Sequence, residues 1–272
     1  MRIDAHCHIW GNAPEKYPWQ PIGGYIPEVE ASPVELLERM DAAGIDRAVL
    51  VQPTPYGWDN SYLLDAARTY PDRFKVTCLV DPCAPDSPER LARLVEDRGV
   101  RGVRFNWNLN AGYAWAEDAL HERVWSAAQD LGIPVCLQMV AAQAPQVKEM
   151  AGRFPRLKIV LDHLGRPAAG VVPGDPSLQP FLELANWPNC SIKLSGLYYF
   201  SKLAAPFEDT WPLVKTAARA YGAQRCLWGS DFPFVLDRWS YSGWLETLRA
   251  KLEFTTGELD WVLGKTAAVL GW

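Results

Sequence analysis

The feature that most constrains the fold of this 272-residue chain is a regular alternation of short β-rich runs with longer amphipathic stretches. Eight runs are predicted as strands: Arg2–Cys7, Arg47–Gln52, Phe74–Val80, Gly102–Phe105, Pro134–Met139, Lys158–Leu161, Cys190–Leu194 and Cys226–Gly229. The other stretches are predicted as helices: Pro33–Ala43, Ser61–Thr69, Ser87–Arg98, Ala119–Leu131, Gln143–Arg153, Leu178–Trp187, Leu213–Tyr221, Tyr241–Lys251 and a last helix, Thr256–Leu270. Apolar strands joined by helical crossovers predict a parallel sheet covered by helices.

Eight such units in a chain of this length favour closure into an α/β fold of the (β/α)₈ TIM-barrel type. We expect a single domain over residues 1–272, with the last helix as a C-terminal addition. An open doubly wound sheet is the alternative, but it would favour a Gly-x-Gly-x-x-Gly turn after the first strand, and that motif is absent from the sequence. Segment 165–180, rich in glycine and proline, predicts a long loop at the face where the strands end.

Charge and hydropathy exclude several classes of partner. A net charge of −5 and a pI near 5.5 argue against nucleic acid, whose phosphates select basic surfaces. The longest apolar runs are only strand-sized, so we expect no membrane span. The N-terminus is polar within its first four residues, so we expect no secretory signal peptide and a cytoplasmic protein with free thiols at its six cysteines.

Thirteen tryptophans are unusual for this length, and several fall in predicted loops. The loop positions are Trp10, Trp19, Trp58, Trp107, Trp115 and Trp239. The interpretation we favour is packing of long loops together with a homo-oligomer interface. The other is an aromatic-walled pocket for a ring-shaped ligand.

Polar side chains stand at the ends of three predicted strands. His6 and His8 end the first strand, and residues two apart in a strand point to the same side. His163 follows the sixth strand and Asp231 follows the eighth. The remaining histidine, His121, lies in the fourth predicted helix, where we expect it on the surface.

The carboxyl ends of barrel strands meet at one face, so these three histidines and Asp231 are predicted to surround a common cavity. Such a set suits two chemistries. It can bind a divalent metal that activates water. Alternatively, the carboxylate can act as general base while the imidazoles polarise a carbonyl group.

Six segments resemble the amidohydrolase-related family. They are Ile3-Asp4-Ala5-His6-Cys7-His8, Val51-Gln52-Pro53-Thr54, Gly102-Val103-Arg104-Phe105-Asn106, Leu161-Asp162-His163-Leu164-Gly165-Arg166-Pro167, Lys193-Leu194-Ser195-Gly196 and Trp228-Gly229-Ser230-Asp231-Phe232-Pro233. More narrowly, the fourth and sixth segments resemble the lactonase branch, which includes 2-pyrone-4,6-dicarboxylate hydrolases and sugar-acid lactonases. The resemblance runs in order over nearly the whole chain.

The resemblance implies a (β/α)₈ barrel that hydrolyses and opens a lactone ring. It implies metal-binding or carbonyl-polarising roles for the three strand-end histidines and a water-activating role for Asp231. It also implies that Arg104 and Arg166 contact a carboxylate or ring oxygen of the substrate.

The sequence departs from the metal-dependent members of that superfamily. Those proteins commonly carry a bridging carboxylated lysine or glutamate on strand four and a histidine on strand five, where this chain has Arg104 and Gln138. We therefore expect no binuclear centre. Two options stay open: one divalent ion, with zinc as the expected metal, held by His6, His8 and Asp231, or no metal at all. We favour the second, because Arg104 could supply positive charge instead.

The substrate loops also differ from those of pyrone-dicarboxylate hydrolases, which add arginines after strands four and seven. Here those loops carry asparagine, tyrosine and tryptophan, which suit a hydroxylated lactone with no charge or one charge. Further candidate contacts are Gln52, Thr54, Gln138, Asn106 and Tyr198, each equally compatible with a structural role.

Two other functions stay open. Related barrels use the same histidines and aspartate with a metal to decarboxylate small aromatic or unsaturated carboxylates. A barrel that binds a ligand without turnover is the non-enzymatic alternative. A small-molecule lactone remains the expected partner.

Overall fold

The computed structural model describes residues 1–11, 13–23, 25–110 and 112–272, and its centre is one eight-stranded sheet in the order β1 to β8. The strands are β1 Ile3–Cys7, β2 Arg47–Val51, β3 Phe74–Leu79, β4 Gly102–Asn106, β5 Val135–Gln138, β6 Ile159–Leu161, β7 Cys190–Leu194 and β8 Cys226–Trp228. Each strand pairs in parallel with the next strand of the chain. The predicted α/β fold is confirmed, with strand bounds within two residues.

The barrel closes where the chain beyond β8 returns to β1. The backbone N–H of Asp231 donates to the carbonyl of His6 at 2.8 Å, and that of His8 donates to the carbonyl of Phe232 at 2.7 Å. Gly229 permits this approach, because a Cβ atom there would lie 2.7 Å from the Cβ of His6. Closure therefore brings the end of β8 directly against the two histidines of β1.

Ten helices lie along the chain: α1 Pro33–Ala43, α2 Ser61–Thr69, α3 Ser87–Arg98, α4 Ala119–Asp130, α5 Ala144–Arg153, α6 Gln179–Glu183, α7 Trp211–Tyr221, α8 Tyr241–Lys251, α9 Thr256–Asp260 and α10 Thr266–Val269 among the described residues. Helix α1 shows why the sequence predicts its bounds. The Ser32 hydroxyl accepts from the Glu35 N–H, and Pro33 occupies the first turn. The helix ends at Gly44, whose φ of 66° is left-handed.

The last helix predicted over Thr256–Leu270 is present, but it is interrupted at Gly264. A π-helical turn at Trp261–Lys265 separates α9 from α10. A Cβ atom at Gly264 would lie 2.2 Å from the carbonyl oxygen of Met1, so the helix meets the N-terminal backbone there. The widened turn accommodates this contact.

The core has two parts. An inner cluster fills the barrel with Ile3, Ala5, Val49, Val51, Cys136, Val160 and Leu227, and the C-terminal Ala267, Leu270 and Trp272 join it. The indole N–H of Trp272 donates to the carbonyl of Arg101 at 2.8 Å, which fixes the chain end at the base of the barrel. A larger cluster lies between strands and helices. Burial of the inner cluster leaves the opposite end of the barrel for polar groups.

His121 is buried, so its predicted surface position is wrong. Its Nε2 accepts a hydrogen bond from the indole N–H of Trp107 at 3.0 Å, and its ring packs against Phe105 at 4.7 Å. The loop after β4 covers this part of α4, which sequence periodicity alone did not reveal. Among the described residues, no helix combines the length and apolar character needed to cross a membrane.

Candidate active site

The two histidines of β1 converge as the sequence predicts. His6 and His8 are buried, and their Nε2 atoms lie 3.1 Å apart. The pairing of β1 with β2 shifts register between Asp4 and Cys7, a local irregularity of the kind that re-aims side chains near active sites. His8 Nδ1 lies 2.7 Å from the Val51 carbonyl, to which it donates, so its Nε2 presents a lone pair to the site.

His163 reaches the same point from a left-handed turn after β6. Its φ is 52°, and left-handed values continue through Arg166. Such a conformation costs about 1–2 kcal/mol for each residue other than glycine, so surrounding contacts must hold it. One contact joins His163 Nδ1 to the Ser195 hydroxyl at 2.9 Å. Gly196 makes room for it, since a Cβ atom there would lie 2.7 Å from the same nitrogen.

Asp231 completes the cluster. Its Oδ1 lies 3.5 Å from the Nε2 atoms of both His6 and His8 and 4.0 Å from that of His163. Its Oδ2 accepts a hydrogen bond from the Tyr198 hydroxyl. Oδ1 is buried and receives no hydrogen bond from the described residues. The structure thus brings all four strand-end residues together around one unpartnered carboxylate oxygen.

Burial and mutual charge set the protonation of this cluster. Burial lowers the pKa of His163 to about 4, and burial, with the Lys193 charge, lowers that of His6 well below its ordinary range. Burial alone would raise the pKa of Asp231, but the three imidazoles together hold it below its ordinary value. At neutral pH the site therefore holds an ionised carboxylate beside neutral His6 and His163.

The donor set can hold one divalent cation. Ligand atoms of His6, His163 and Asp231 all lie within 4.8 Å of one another, and His8 Nε2 is equally close to Asp231. Zinc bonds of about 2.0–2.2 Å place tetrahedral ligand atoms roughly 3.4 Å apart, close to several of these separations. The unpartnered Asp231 Oδ1 and the imidazole nitrogens are donors that zinc accepts. The residues therefore fit one divalent ion.

A second charged group lies beneath the histidines, and sequence reasoning missed it. Lys193 Nζ, fully buried on β7, lies 3.0 Å from Asp162 Oδ1 and 3.1 Å from His6 Nδ1. Arg104 Nε donates to Asp162 Oδ2 at 2.8 Å. Burial would raise the pKa of Asp162, but Lys193, His6 and Arg104 hold it well below its ordinary value. A charged residue in the middle of an apolar strand was the available signal.

A cavity of about 260 Å³ opens above this cluster. It is lined by His8, Gly23, Tyr25, Pro53, Thr54, Arg104, Asn108, Leu109, Gln138, His163, Arg166, Tyr199 and Phe234. Four predicted substrate contacts are among these residues: Thr54, Arg104, Gln138 and Arg166. The Arg166 guanidinium lies over the Tyr199 ring at 4.2 Å, which holds it at the cavity wall.

Three other predicted contacts are placed elsewhere. Gln52 does not line the cavity, because its amide donates to the Asp59 carbonyl at 2.7 Å. Asn106 lines a neighbouring cavity. Tyr198 contacts the Asp231 carboxylate and is absent from the cavity lining. Tyr25 and Phe234 were missed, since aromatic loop residues carry no periodic pattern that places them at a site.

Comparison with known proteins decides the family. The amidohydrolase family profile matches residues 3–270. The chain belongs to the amidohydrolase family. Among curated relatives, an L-fucono-1,5-lactonase of Burkholderia ambifaria is 32% identical over 238 residues, covering 86% of this chain and 80% of that protein. A 4-sulfomuconolactone hydrolase of Hydrogenophaga intermedia is 30% identical over 250 residues, covering 90% of this chain and 77% of that protein.

Solved structures agree with this amidohydrolase assignment. An amidohydrolase of Burkholderia multivorans with bound zinc has a TM-score of 0.83 and 27% identity, covering 99% of this chain and 98% of that one. A probable 2-pyrone-4,6-dicarboxylic acid hydrolase of Acinetobacter baumannii has a TM-score of 0.85 at 23% identity, covering 100% and 99%. A 2,6-dihydroxybenzoate decarboxylase of Rhizobium has a TM-score of 0.69 at 18% identity, covering 99% of this chain and 98% of that one. The last two show the fold alone.

Proposed function

We propose that this amidohydrolase opens the ring of a small lactone, of sugar-acid or pyrone type, by attack of water on the ring carbonyl. The observation that carries the proposal is the buried Asp231 Oδ1, ionised and free of hydrogen bonds from the described residues, at the meeting point of three imidazoles. The curated relatives, among them the L-fucono-1,5-lactonase, act on lactones and support this reaction class.

The cavity limits the substrate to one small ring. Its volume of about 260 Å³ is below the roughly 300–1,000 Å³ of pockets for drug-sized ligands. Thr54, Gln138 and Arg166 offer hydroxyl, amide and guanidinium groups along its wall. Arg104 already binds Asp162, so Arg166 is the arginine we assign to a substrate carboxylate. This arrangement favours a hydroxylated lactone with no charge or one charge.

Asp231 accepts a proton from the attacking water at Oδ1 while Tyr198 holds Oδ2 by its hydroxyl. His163 lines the cavity and faces the developing oxyanion, whereas His8 Nε2 presents a lone pair that accepts from His6. His163 is neutral at pH 7 and stabilises the oxyanion by donating a hydrogen bond from Nε2, with Ser195 holding Nδ1. Asp231 then returns the proton to the leaving ring oxygen, giving a hydroxy- or keto-acid.

A divalent ion, with zinc preferred by the donor set, would be held by His6, His8 and Asp231, with His163 as a further ligand. When bound, it would polarise the carbonyl as a Lewis acid and acidify water. The zinc-containing relative of Burkholderia multivorans supports zinc as the ion to test.

The test is a panel of sugar-acid and pyrone lactones, followed by acid release, with chelated protein and with protein supplied with zinc. We expect turnover of at least one lactone, and a loss of about 10²–10⁴ in kcat for Asp231→Asn in a folded protein. Asp237→Asn, an exposed aspartate six residues later, is the matched control. Near-normal turnover by Asp231→Asn would end the base assignment, and carbon dioxide release without ring opening would favour a decarboxylase.

A further inference from the structure

A second cavity of about 180 Å³ lies beside the catalytic cavity, at the carboxyl ends of β3 and β4. We call it the side pocket. Its walls are almost entirely apolar, and its main lining residues are Trp58, Leu79, Phe105, Trp107, Leu109 and Trp115. Asn106, Asn110, Asp81 and Cys83 also border it. The substrate contacts assigned above, Thr54, Gln138 and Arg166, do not line this pocket.

The side pocket adjoins the catalytic cavity directly. Arg104 and Leu109 line both cavities, so their side chains lie at the boundary between the two spaces. Arg104 is fixed by its bond to Asp162, whereas Leu109 is 47% exposed and leaves room for movement of its side chain. A group attached to a ring in the catalytic cavity can therefore reach the side pocket past Leu109.

Aromatic packing and one hydrogen bond hold the pocket wall in place. The Trp107 ring stacks on Trp115 with an interplanar angle of 3° and on Trp125 with an angle of 27°. The His121 acceptor also fixes the Trp107 indole N–H. Such packing keeps a space open and preformed, as small-molecule sites require.

We propose that the side pocket receives an apolar substituent of the lactone, either a six-membered carbon ring or a branched alkyl group of similar size. This inference rests on the proposed lactone hydrolysis and names its substrate class. A cavity of about 150 Å³ lined by apolar side chains stays dry and binds benzene, so about 180 Å³ suffices for one ring. A hydroxylated substituent would lose its water there and meet a mostly apolar wall with few hydrogen-bonding groups.

The substrate is therefore amphiphilic. Its lactone ring, with any hydroxyl or carboxylate groups, faces Thr54, Gln138 and Arg166, and its apolar substituent lies against the tryptophans. This accounts for loop tryptophans in a protein whose catalytic cavity is small and polar at its base. The aromatic-walled pocket considered from the sequence is thus assigned to the substituent of the substrate.

The first experiment measures kcat/KM for one lactone ring carrying hydrogen, methyl, propyl, cyclohexyl or dodecyl at the ring carbon next to the ring oxygen. We expect a rise of about fourfold per added carbon until the pocket is full, because each buried methylene contributes that factor, and a fall at dodecyl. A flat series, or a preference for a polyhydroxylated substituent of equal size, would overturn the proposal.

The second experiment fills the pocket from its rim. Cys83 is exposed and lines the side pocket, so Cys83→Trp is expected to remove the cyclohexyl-to-hydrogen preference with little cost in folding. Leu203→Trp, at a residue 54% exposed that lines neither cavity, is the control and should keep the preference. A Cys83→Trp protein that retains the wild-type preference would count against the side pocket.

A binding measurement tests the side pocket separately from lactone hydrolysis. Cys83 is the exposed cysteine of the six, so iodoacetamide should modify it first. Saturating toluene is expected to slow this modification at least threefold, whether or not any lactone is hydrolysed. Absence of protection would overturn the side pocket while leaving lactone hydrolysis standing. Protection without turnover of any lactone would overturn the proposed function and the substrate assignment built on it.

Discussion

The ammonium nitrogen of Lys193 lies 3.1 Å from Nδ1 of His6 inside the barrel. An ammonium group only donates, so His6 Nδ1 accepts and the imidazole proton lies on Nε2. That proton faces His8 Nε2 at 3.1 Å, which accepts because His8 Nδ1 donates to the Val51 carbonyl. Asp162 Oδ1 lies farther from His6 Nδ1, at 3.4 Å, and is bound by Lys193. Lys193 thus positions His6 as a donor toward the site.

Lys193→Met should release this tautomer. We expect kcat to fall about 10- to 100-fold with KM nearly constant, since a hydrogen bond to a charged group contributes about 1.5–3 kcal/mol. Zinc should bind more tightly, because a metal at His6 Nε2 needs the opposite tautomer and one positive charge is gone. Nitrogen-15 NMR of labelled histidine and zinc titration measure the two effects.

Lys158→Met is the matched control, since Lys158 is far from the site and donates to the Val269 carbonyl at 2.7 Å. Unchanged nitrogen-15 shifts of His6 in Lys193→Met would show that the lysine does not set the tautomer.

Tyr198→Phe should lower kcat about tenfold or more and leave KM nearly unchanged. The hydroxyl of Tyr198 donates to Asp231 Oδ2, and its ring does not line the catalytic cavity. Its loss frees the carboxylate to rotate away from the attacking water, and a charge-assisted hydrogen bond has this magnitude. Tyr221→Phe, which removes a buried hydroxyl bonded to the Phe181 carbonyl, is the control. A rise in KM alone would place Tyr198 at the substrate instead.

Strand position was predictable because apolar runs and helical periodicity repeat through the chain. The same pattern predicts that His6, His8, His163 and Asp231 meet, since they end strands that converge at one face. The hydrogen-bond partners of the loop side chains could not be predicted in the same way. Nothing local shows that Tyr198 bonds Asp231 or that the Gln52 amide turns to Asp59, because loop conformation decides both.

The sequence also did not reveal the surroundings of buried ionisable side chains. Lys193 lies on β7 between Ile192 and Leu194, and the Asp162 carboxylate that neutralises it comes from the turn after β6. His121 is hidden by the loop after β4, which the helix periodicity does not describe. Residues whose environment comes from a distant segment therefore need the three-dimensional structure.

Arg166→Gln should test the charge of the substrate. Its guanidinium faces the cavity beside Tyr199, so KM for a lactone carrying one carboxylate should rise about 10- to 100-fold, as expected for a lost charge-assisted bond. KM for a neutral lactone of the same ring should change less than about threefold. Steady-state kinetics on the matched pair provides the measurement, with exposed Arg156→Gln as control. Equal effects on both lactones would remove Arg166 from carboxylate recognition.

Acid should destabilise the fold through its buried histidines. Burial lowers the pKa of His163 to about 4 and that of His121 to about 3, from an unfolded value near 6.5. Below pH 6.5 the unfolded chain takes up protons that the folded protein refuses, so the free energy of unfolding falls as pH falls toward those values. Each histidine contributes about 1.4 kcal/mol per pH unit in its window.

Asp4 acts in the opposite sense, because burial raises its pKa from 3.8 to about 6. The stability it contributes is complete below pH 3.8 and is lost as pH rises through 6, so it partly offsets the histidines between those values. Urea unfolding from pH 4.5 to 7.5 should still show stability increasing with pH. His121→Gln should reduce the change in the free energy of unfolding per pH unit by the amount that one histidine proton contributes. The structural cost of the substitution should lower the free energy of unfolding equally at every pH, and is measured at pH 7.5. A slope identical to that of the wild type would mean that His121 titrates normally in the folded protein.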